Sequence, residues 1–204
     1  ARSAMANSTA TFGFRHVGYL GGAGPDYQLT PRSIQSTNST KIGFGDPVVK
    51  ANGTSNYIIL AVGTTVVTTP VVGIFQGCTY TPAGGVPTWS PYWPGAAAVD
   101  ATAYIIDAPN ATFLVATTLT AIATGAIGQN AAFTGGVPAT TGGGFSIATL
   151  DAATLGTAGG TAASFLPFRI LSLYQGVGNG SDPSTNYNWV VVGFNFQQNR
   201  ALNV

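Results

Sequence analysis

Every long apolar run in this 204-residue chain has the length of a β-strand. Runs at 57–62, 71–80 and 188–196 are rich in β-branched and aromatic residues, and clusters of glycine, proline and asparagine separate them. That pattern is typical of strands joined by turns. Glutamate is absent and glycine is abundant, which lowers helix propensity. The sequence therefore predicts an all-β fold, a β-barrel or a β-sandwich, with at most short helices.

Further strands and two short helical segments complete the predicted elements. The additional strands are expected at 12–20, 104–107, 112–117 and 168–174. The segments 96–103 and 119–132 are rich in alanine and threonine, so a helical turn or a short helix is expected in each.

Composition also suggests how the chain is divided. We expect a flexible N-terminal arm at 1–11, a β subdomain at 12–81, a proline- and aromatic-rich loop at 82–95 and a second β subdomain at 96–204. The alternative is that both β ranges form one domain.

The chain carries unusually little charge. Charged residues make up 6% of it, against the ~25% that is typical of soluble domains. The net charge is +1 and the arginines are scattered, so we expect neither a nucleic-acid partner nor a membrane partner. A surface this neutral gives a free monomer little colloidal protection. We therefore expect the chain to work as part of an assembly.

Groups suited to catalysis are scarce. Asp46, Asp107 and Asp182 each stand beside proline or close to glycine, where aspartate forms turns. His16, the single histidine, lies in an alternating strand, and Cys78, the single cysteine, is interpreted as a small buried residue. One histidine and one cysteine cannot make a zinc cluster in one chain. We expect no enzyme activity, no catalytic residues, no cofactor and no metal site.

Aromatic residues provide the candidate contact site. Trp89, Tyr92 and Trp93 lie in the proline-rich loop, where aromatic side chains can fold back as a lid, anchor a protein interface or stack on sugars. Phe12 and Phe14 share one face of a predicted strand next to the arm. These five residues are predicted as interface residues.

Six fragments resemble one group of viral proteins. They are FGFRHVGYLGG (12–22), KIGFGDPVV (41–49), GIFQGCTY (73–80), YIIDAPNATFLV (104–115), IGQNAAF (127–133) and FRILSLY (168–174). Together they are similar to the head decoration proteins of tailed bacteriophages, also called auxiliary or cement capsid proteins.

The resemblance implies a structural virion protein on the capsid exterior. It would bind the major capsid protein, stabilise the shell and assemble with itself, for example as a trimer. No fixed functional motif of the group carries over by position. The alternative is a carbohydrate- or receptor-binding β module of a fibre or cell surface that uses Trp89, Tyr92 and Trp93.

Overall fold

The chain folds into two six-stranded sheets, which confirms the all-β prediction. This computed structural model describes residues 7–26, 28–51, 55–62, 70–95, 98–118, 121–136, 144–156, 165–176 and 180–199. No helix in these ranges is long and apolar enough to cross a membrane.

One sheet closes into a barrel. Its strands are β2 (Thr30–Ile34), β3 (Pro47–Lys50), β4 (Tyr57–Leu60), β5 (Gly73–Pro82), β6 (Thr88–Ser90) and β7 (Ala98–Ile106). They are ordered β3-β4-β2-β7-β5-β6. An additional pairing between β3 and β5 closes five of them into the barrel, and β6 extends from β5. Closure removes the exposed strand edges that an open sheet would have.

The second sheet is antiparallel in all its pairings. Its strands are β1 (Arg15–Tyr19), β8 (Ala111–Ala116), β9 (Asn130–Thr134), β10 (Thr149–Gly156), β11 (Phe168–Leu173) and β12 (Trp189–Phe194). They are ordered β1-β8-β12-β11-β9-β10. The backbone N–H of Thr118 donates to the Leu150 carbonyl at 2.9 Å, so β10 curls back towards the end of β8.

The prediction of a helical turn is wrong for the described part of 96–103 and is confirmed for 119–132 by one short turn. The segment 98–106 is strand β7, which pairs with both β2 and β5. Within 121–132 the structure has a single 3-10 turn, Thr124–Ala126. Ala101 and Ala103 on β7 and Ala131 and Ala132 on β9 are buried in the sheets, and there tertiary packing overrides the helix propensity of alanine.

Each sheet surrounds an apolar core, and the two cores adjoin. The barrel core contains Phe75, Ile105 and Trp93. The core of the second sheet also receives Ile74 and Ile106 from barrel strands. It is lined by five fully buried phenylalanines: Phe14, Phe113, Phe133, Phe168 and Phe194. Strand β1, from the range 12–81, pairs with β8, from the range 96–204. Strand β7, also from 96–204, pairs with β5 in the barrel. Both sheets therefore combine strands that precede and strands that follow the loop at 82–95.

A buried carboxyl group joins the barrel to the second sheet. Asp46 forms the predicted turn, since its N–H donates to the Gly43 carbonyl at 3.0 Å. Its side chain is fully buried: Oδ2 accepts the Gly43 N–H at 2.7 Å and Oδ1 accepts the Ser146 hydroxyl. Burial raises the pKa of Asp46 to about 6, and the two hydrogen bonds oppose that shift. The turn was predictable, but the burial was not.

The described part of the N-terminal arm is held in place. Asn7 is buried, and its amide donates to the carbonyls of Asp182 and Asn186 at 3.1 and 3.0 Å. Its side-chain oxygen accepts the Gly180 N–H at 2.9 Å. These bonds tie the chain just before β1 to the loop that precedes β12.

Candidate interaction surfaces

Two of the predicted interface residues lie in the cores. Trp93 is fully buried in the barrel, where its indole N–H donates to the Asn38 carbonyl at 3.1 Å and its ring meets Tyr80 edge-on at 5.7 Å. Phe14 is fully buried and stacks on Phe168, with the ring centroids 4.4 Å apart. Neither side chain reaches the surface of this fold, which corrects their prediction as contact residues.

Trp89 is the exposed member of the aromatic loop. It lies on β6 and is 60% exposed. Its ring rests on the backbone of Gly77, where a Cβ atom would lie 3.1 Å from Cζ2 of the indole and 3.0 Å from the Ser90 carbonyl. Gly77 has a φ of +129°, which also favours glycine. Trp89 is thus a supported aromatic platform on the outside of the barrel.

Tyr92 is neither exposed like Trp89 nor fully buried like Trp93. It is half-buried, and its N–H donates to the Ser90 hydroxyl at 3.2 Å. Its carbonyl accepts the Cys78 thiol at 3.4 Å. Cys78 is fully buried, as predicted, and burial raises its pKa to about 12. The loop therefore contributes one exposed ring, and its other aromatic side chains pack against the protein.

A row of hydroxyl groups crosses the outside of the barrel. The strand register aligns Tyr57, Ser33, Thr102, Thr79 and Trp89 on five neighbouring strands. The two aromatic ends are 44% and 60% exposed. At about 4.8 Å per strand spacing, this hydroxyl row runs roughly 19 Å along the sheet.

The outer face of the second sheet carries apolar residues at its centre, with Thr112 on β8 and Ser172 on β11 as polar outward residues. In β8 and β12 the residues that point inward are apolar, and so are Leu114 and Val191, which point outward and are half-buried. Val17 on β1 is 41% exposed and Leu171 on β11 is half-buried. We call this set, with Arg15 and Arg169, the apolar face.

The register shows that its members are neighbours. Arg15, Leu114 and Val191 stand opposite one another on β1, β8 and β12. Arg169 lies opposite Gly193, two residues after Val191 on β12. A groove of about 370 Å³ beside Arg169 is lined by Leu20, Ile127, Leu171 and Phe194 among others.

Aromatic rings hold Arg15 in position. Its guanidinium carbon lies 5.5 Å from the centroid of the Phe12 ring and 5.6 Å from that of Phe145. Phe12 meets Trp189 edge-on at 5.0 Å, and Phe145 meets Phe44 at 5.8 Å. Cation–π contacts of this kind orient a guanidinium without neutralising it. Phe12, predicted as an interface residue, therefore borders the apolar face.

The arginines of the apolar face carry no close carboxylate partner within the described ranges. The ion pair found there joins Arg32 and Asp107 on the barrel, at 2.8 Å. Asp107 also accepts the Thr30 hydroxyl at 2.6 Å. Its predicted turn role thus extends to holding β2 against the end of β7.

The titratable groups near β1 have local structural partners. His16 is buried, its Nε2 lies 3.0 Å from the Gly18 carbonyl oxygen, and burial lowers its pKa. The Tyr19 hydroxyl donates to Asp26. Burial, and to a smaller extent this hydrogen bond, raises the pKa of Tyr19 to about 12. The described residues contain no group of three histidine, cysteine or acidic side chains placed to hold a metal.

Signals for the apolar face were present in the sequence. In the run at 188–196, Trp189 and Val191 are apolar in addition to the alternating set Val190, Val192, Phe194 and Phe196, which predicts the core-facing side of a strand. No family model, curated protein or solved structure matches this chain. The functional interpretation therefore rests on residues and their arrangement.

Proposed function

We propose that this chain is a structural virion protein that decorates and stabilises a phage capsid by binding the lattice of the major capsid protein from outside. The observation that carries the proposal is the apolar face. An antiparallel sheet with one solvated face normally alternates apolar and polar residues, whereas β8 and β12 place Leu114 and Val191 on the outward side as well, with Thr112 as the polar outward residue of β8. A partly exposed group of apolar side chains on a sheet face supports a contact with another molecule at that face.

Composition and resemblance point the same way. With 6% charged residues, the protein gains little solubility as a separate species and is suited to a place in an assembly. The similarity of six fragments to phage decoration proteins supplies the kind of assembly. In this proposal the contribution is mechanical, the site is an interface, and the chain also associates with itself.

The test uses heads of the cognate virus that lack this protein. Adding the purified chain should restore occupancy on sedimented heads and raise the temperature at which they release DNA. An unrelated β protein of similar size and charge is the control. A chain that neither binds the heads nor changes their rupture temperature would contradict the proposal.

A second candidate is binding of a carbohydrate through the hydroxyl row. Two exposed aromatic rings, Tyr57 and Trp89, flank Ser33, Thr79 and Thr102, and aromatic faces combined with hydroxyl groups suit sugar rings. Trp93 is buried and cannot contact a sugar, so in this candidate function Trp89 is the tryptophan that stacks on the sugar ring.

Its test is a glycan array with a matched pair of variants. Trp89→Ala should abolish binding. Val86→Ala, at a residue 73% exposed that precedes β6, should leave it unchanged. An array without signal for the wild-type chain would rule out this candidate.

A further inference from the structure

We infer that the apolar face is the surface that contacts the capsid lattice, and that the lattice meets it with apolar side chains and with carboxylates opposite Arg15 and Arg169. The identity of the partner rests on the proposed function. The choice of surface and the chemistry of the partner rest on the arrangement of the second sheet.

The first argument is the apolar area that lies between the two arginines. Leu114 and Val191 are paired neighbours on β8 and β12, and Val17 and Leu171 lie beside them at the irregular steps of β1 and β11, where the exposed Ser172 is the polar residue opposite Val191. Leu20 and Ile127, 42% and 47% exposed, extend this patch along the groove. Burying such a patch contributes about 25 cal/mol for each Å² of apolar surface removed from water.

The second argument is the placement of positive charge. Arg15 and Arg169 lie three strand spacings apart, roughly 14 Å across the sheet. Both are exposed, and neither has a carboxylate within 4 Å among the described residues. Covering them with a purely apolar surface would leave buried charge unpaired, at a cost of several kcal/mol. A partner that covers this face must therefore supply acidic groups.

The third argument is preorganisation. The rings of Phe12 and Phe145 hold the Arg15 guanidinium before any partner arrives. A planar guanidinium fixed in this way can accept a carboxylate through two parallel hydrogen bonds and loses little side-chain entropy on binding. The hydroxyl row of the barrel presents hydroxyl groups between its two aromatic ends and no guanidinium held in this way, so the lattice gains less by covering it.

The experiment measures binding of the intact chain to bare heads by sedimentation at several salt concentrations. Arg169→Glu and Arg15→Glu should each weaken binding about tenfold or more, because a reversed charge faces the carboxylates of the lattice. Lys50→Glu on β3 makes the same change of net charge outside the face and should bind like the wild type. Rising salt should weaken the wild type more than the arginine variants.

A second pair tests the apolar part. Val17→Asp puts a carboxylate into the apolar face, whereas Val86→Asp puts it beside the Trp89 platform. Both positions are exposed, so both variants should melt within a few degrees of the wild type. Val17→Asp should lose head binding, and Val86→Asp should keep it.

The outcomes separate the two proposals. If wild-type chain binds heads and the face variants bind equally well, or if Val86→Asp alone loses binding, the assignment of this face is wrong and the proposed function stands. If Val17→Asp and Arg169→Glu abolish self-association in sedimentation velocity but not head binding, the face belongs to a second copy of the chain, which also overturns the inference. A wild-type chain that does not bind heads overturns both.

Discussion

The barrel and the second sheet bury similar apolar cores, but their outer faces carry different chemistry. On the barrel, one row across five strands presents Ser33, Thr79 and Thr102 between two aromatic ends. On the second sheet, the corresponding outward positions of β8 and β12 are Leu114 and Val191. The residues that point inward are apolar on both sheets because they pack in the cores of the chain itself. The contrast outside shows that the two outer faces differ in chemistry, hydroxyl groups on the barrel and apolar side chains on the second sheet, and under the proposed function the second is the one that a partner covers.

The similarity of the two apolar cores is tested by substitutions in each core, which have the largest expected effects on the free energy of unfolding. Trp93→Ala in the barrel and Phe168→Ala in the second sheet should each lower the free energy of unfolding by about 3–5 kcal/mol. Because Ile74 and Ile106 of the barrel strands enter the second core, urea unfolding should remain one transition by fluorescence and by circular dichroism. Trp89→Ala, at an exposed ring, should cost about 1 kcal/mol or less. Two separated transitions would show that the interiors are independent.

The junction between the two regions should respond to pH. Because the pKa of Asp46 is raised to about 6 in the folded chain, the folded state holds its proton more tightly than the unfolded state. The free energy of unfolding should therefore rise as pH falls from about 6 to about 4, by up to about 3 kcal/mol from this residue. Urea titrations of wild type and Asp46→Asn across this window measure the difference, which should vanish in the variant. Identical pH profiles would place the titration elsewhere.

The polar exterior of the barrel should contribute little to stability. Arg32→Ala removes the ion pair with Asp107. The Arg32 side chain is 36% exposed and the Asp107 side chain is 13% exposed. Asp107 keeps the bond from Thr30, so the loss should be about 1 kcal/mol or less. Thermal melts at low and high salt provide the measurement, and the difference should shrink with salt. A loss of several kcal/mol would mean that the barrel depends on its exterior.

The smallest effect on stability tests the contrast itself. Val17→Thr on the second sheet should change the free energy of unfolding by no more than about 0.5 kcal/mol. It should nevertheless reduce binding of a fluorescent apolar dye, because it interrupts the apolar face. Thr79→Val is the reciprocal change on the barrel, and it should increase dye binding. Equal dye binding by all three proteins would remove the distinction between the two faces.

Local pattern predicted much of the fold. Alternation in 188–196 predicts Val190, Val192, Phe194 and Phe196 on one face against a core; the first three are buried there, and Phe196, beyond the end of β12, is half-buried. The buried strand position of Cys78 was predicted correctly as well. These predictions held because side-chain alternation along a strand is a local property that any β core must satisfy.

The candidate contact site was less predictable. Trp89 and Trp93 stand four residues apart in one loop with similar neighbours, yet one is exposed and the other fills the barrel. The partner that fixes Trp93 is Asn38, 55 residues earlier. The apolar face gathers residues from β1, β8, β11 and β12, and no local pattern brings those strands together.

The sequence by itself determined the all-β class, the positions of strands such as β4, β5, β8, β11 and β12, the core-facing side of β12 and the shortage of charge. These follow from side-chain periodicity, backbone propensity and composition, which act over a few residues. Only the tertiary structure decided which aromatic residues are covered, that Asp46 is buried against Ser146 100 residues away, and that Arg15 and Arg169 share one apolar face. Those outcomes depend on strand order and register, which long-range pairing sets.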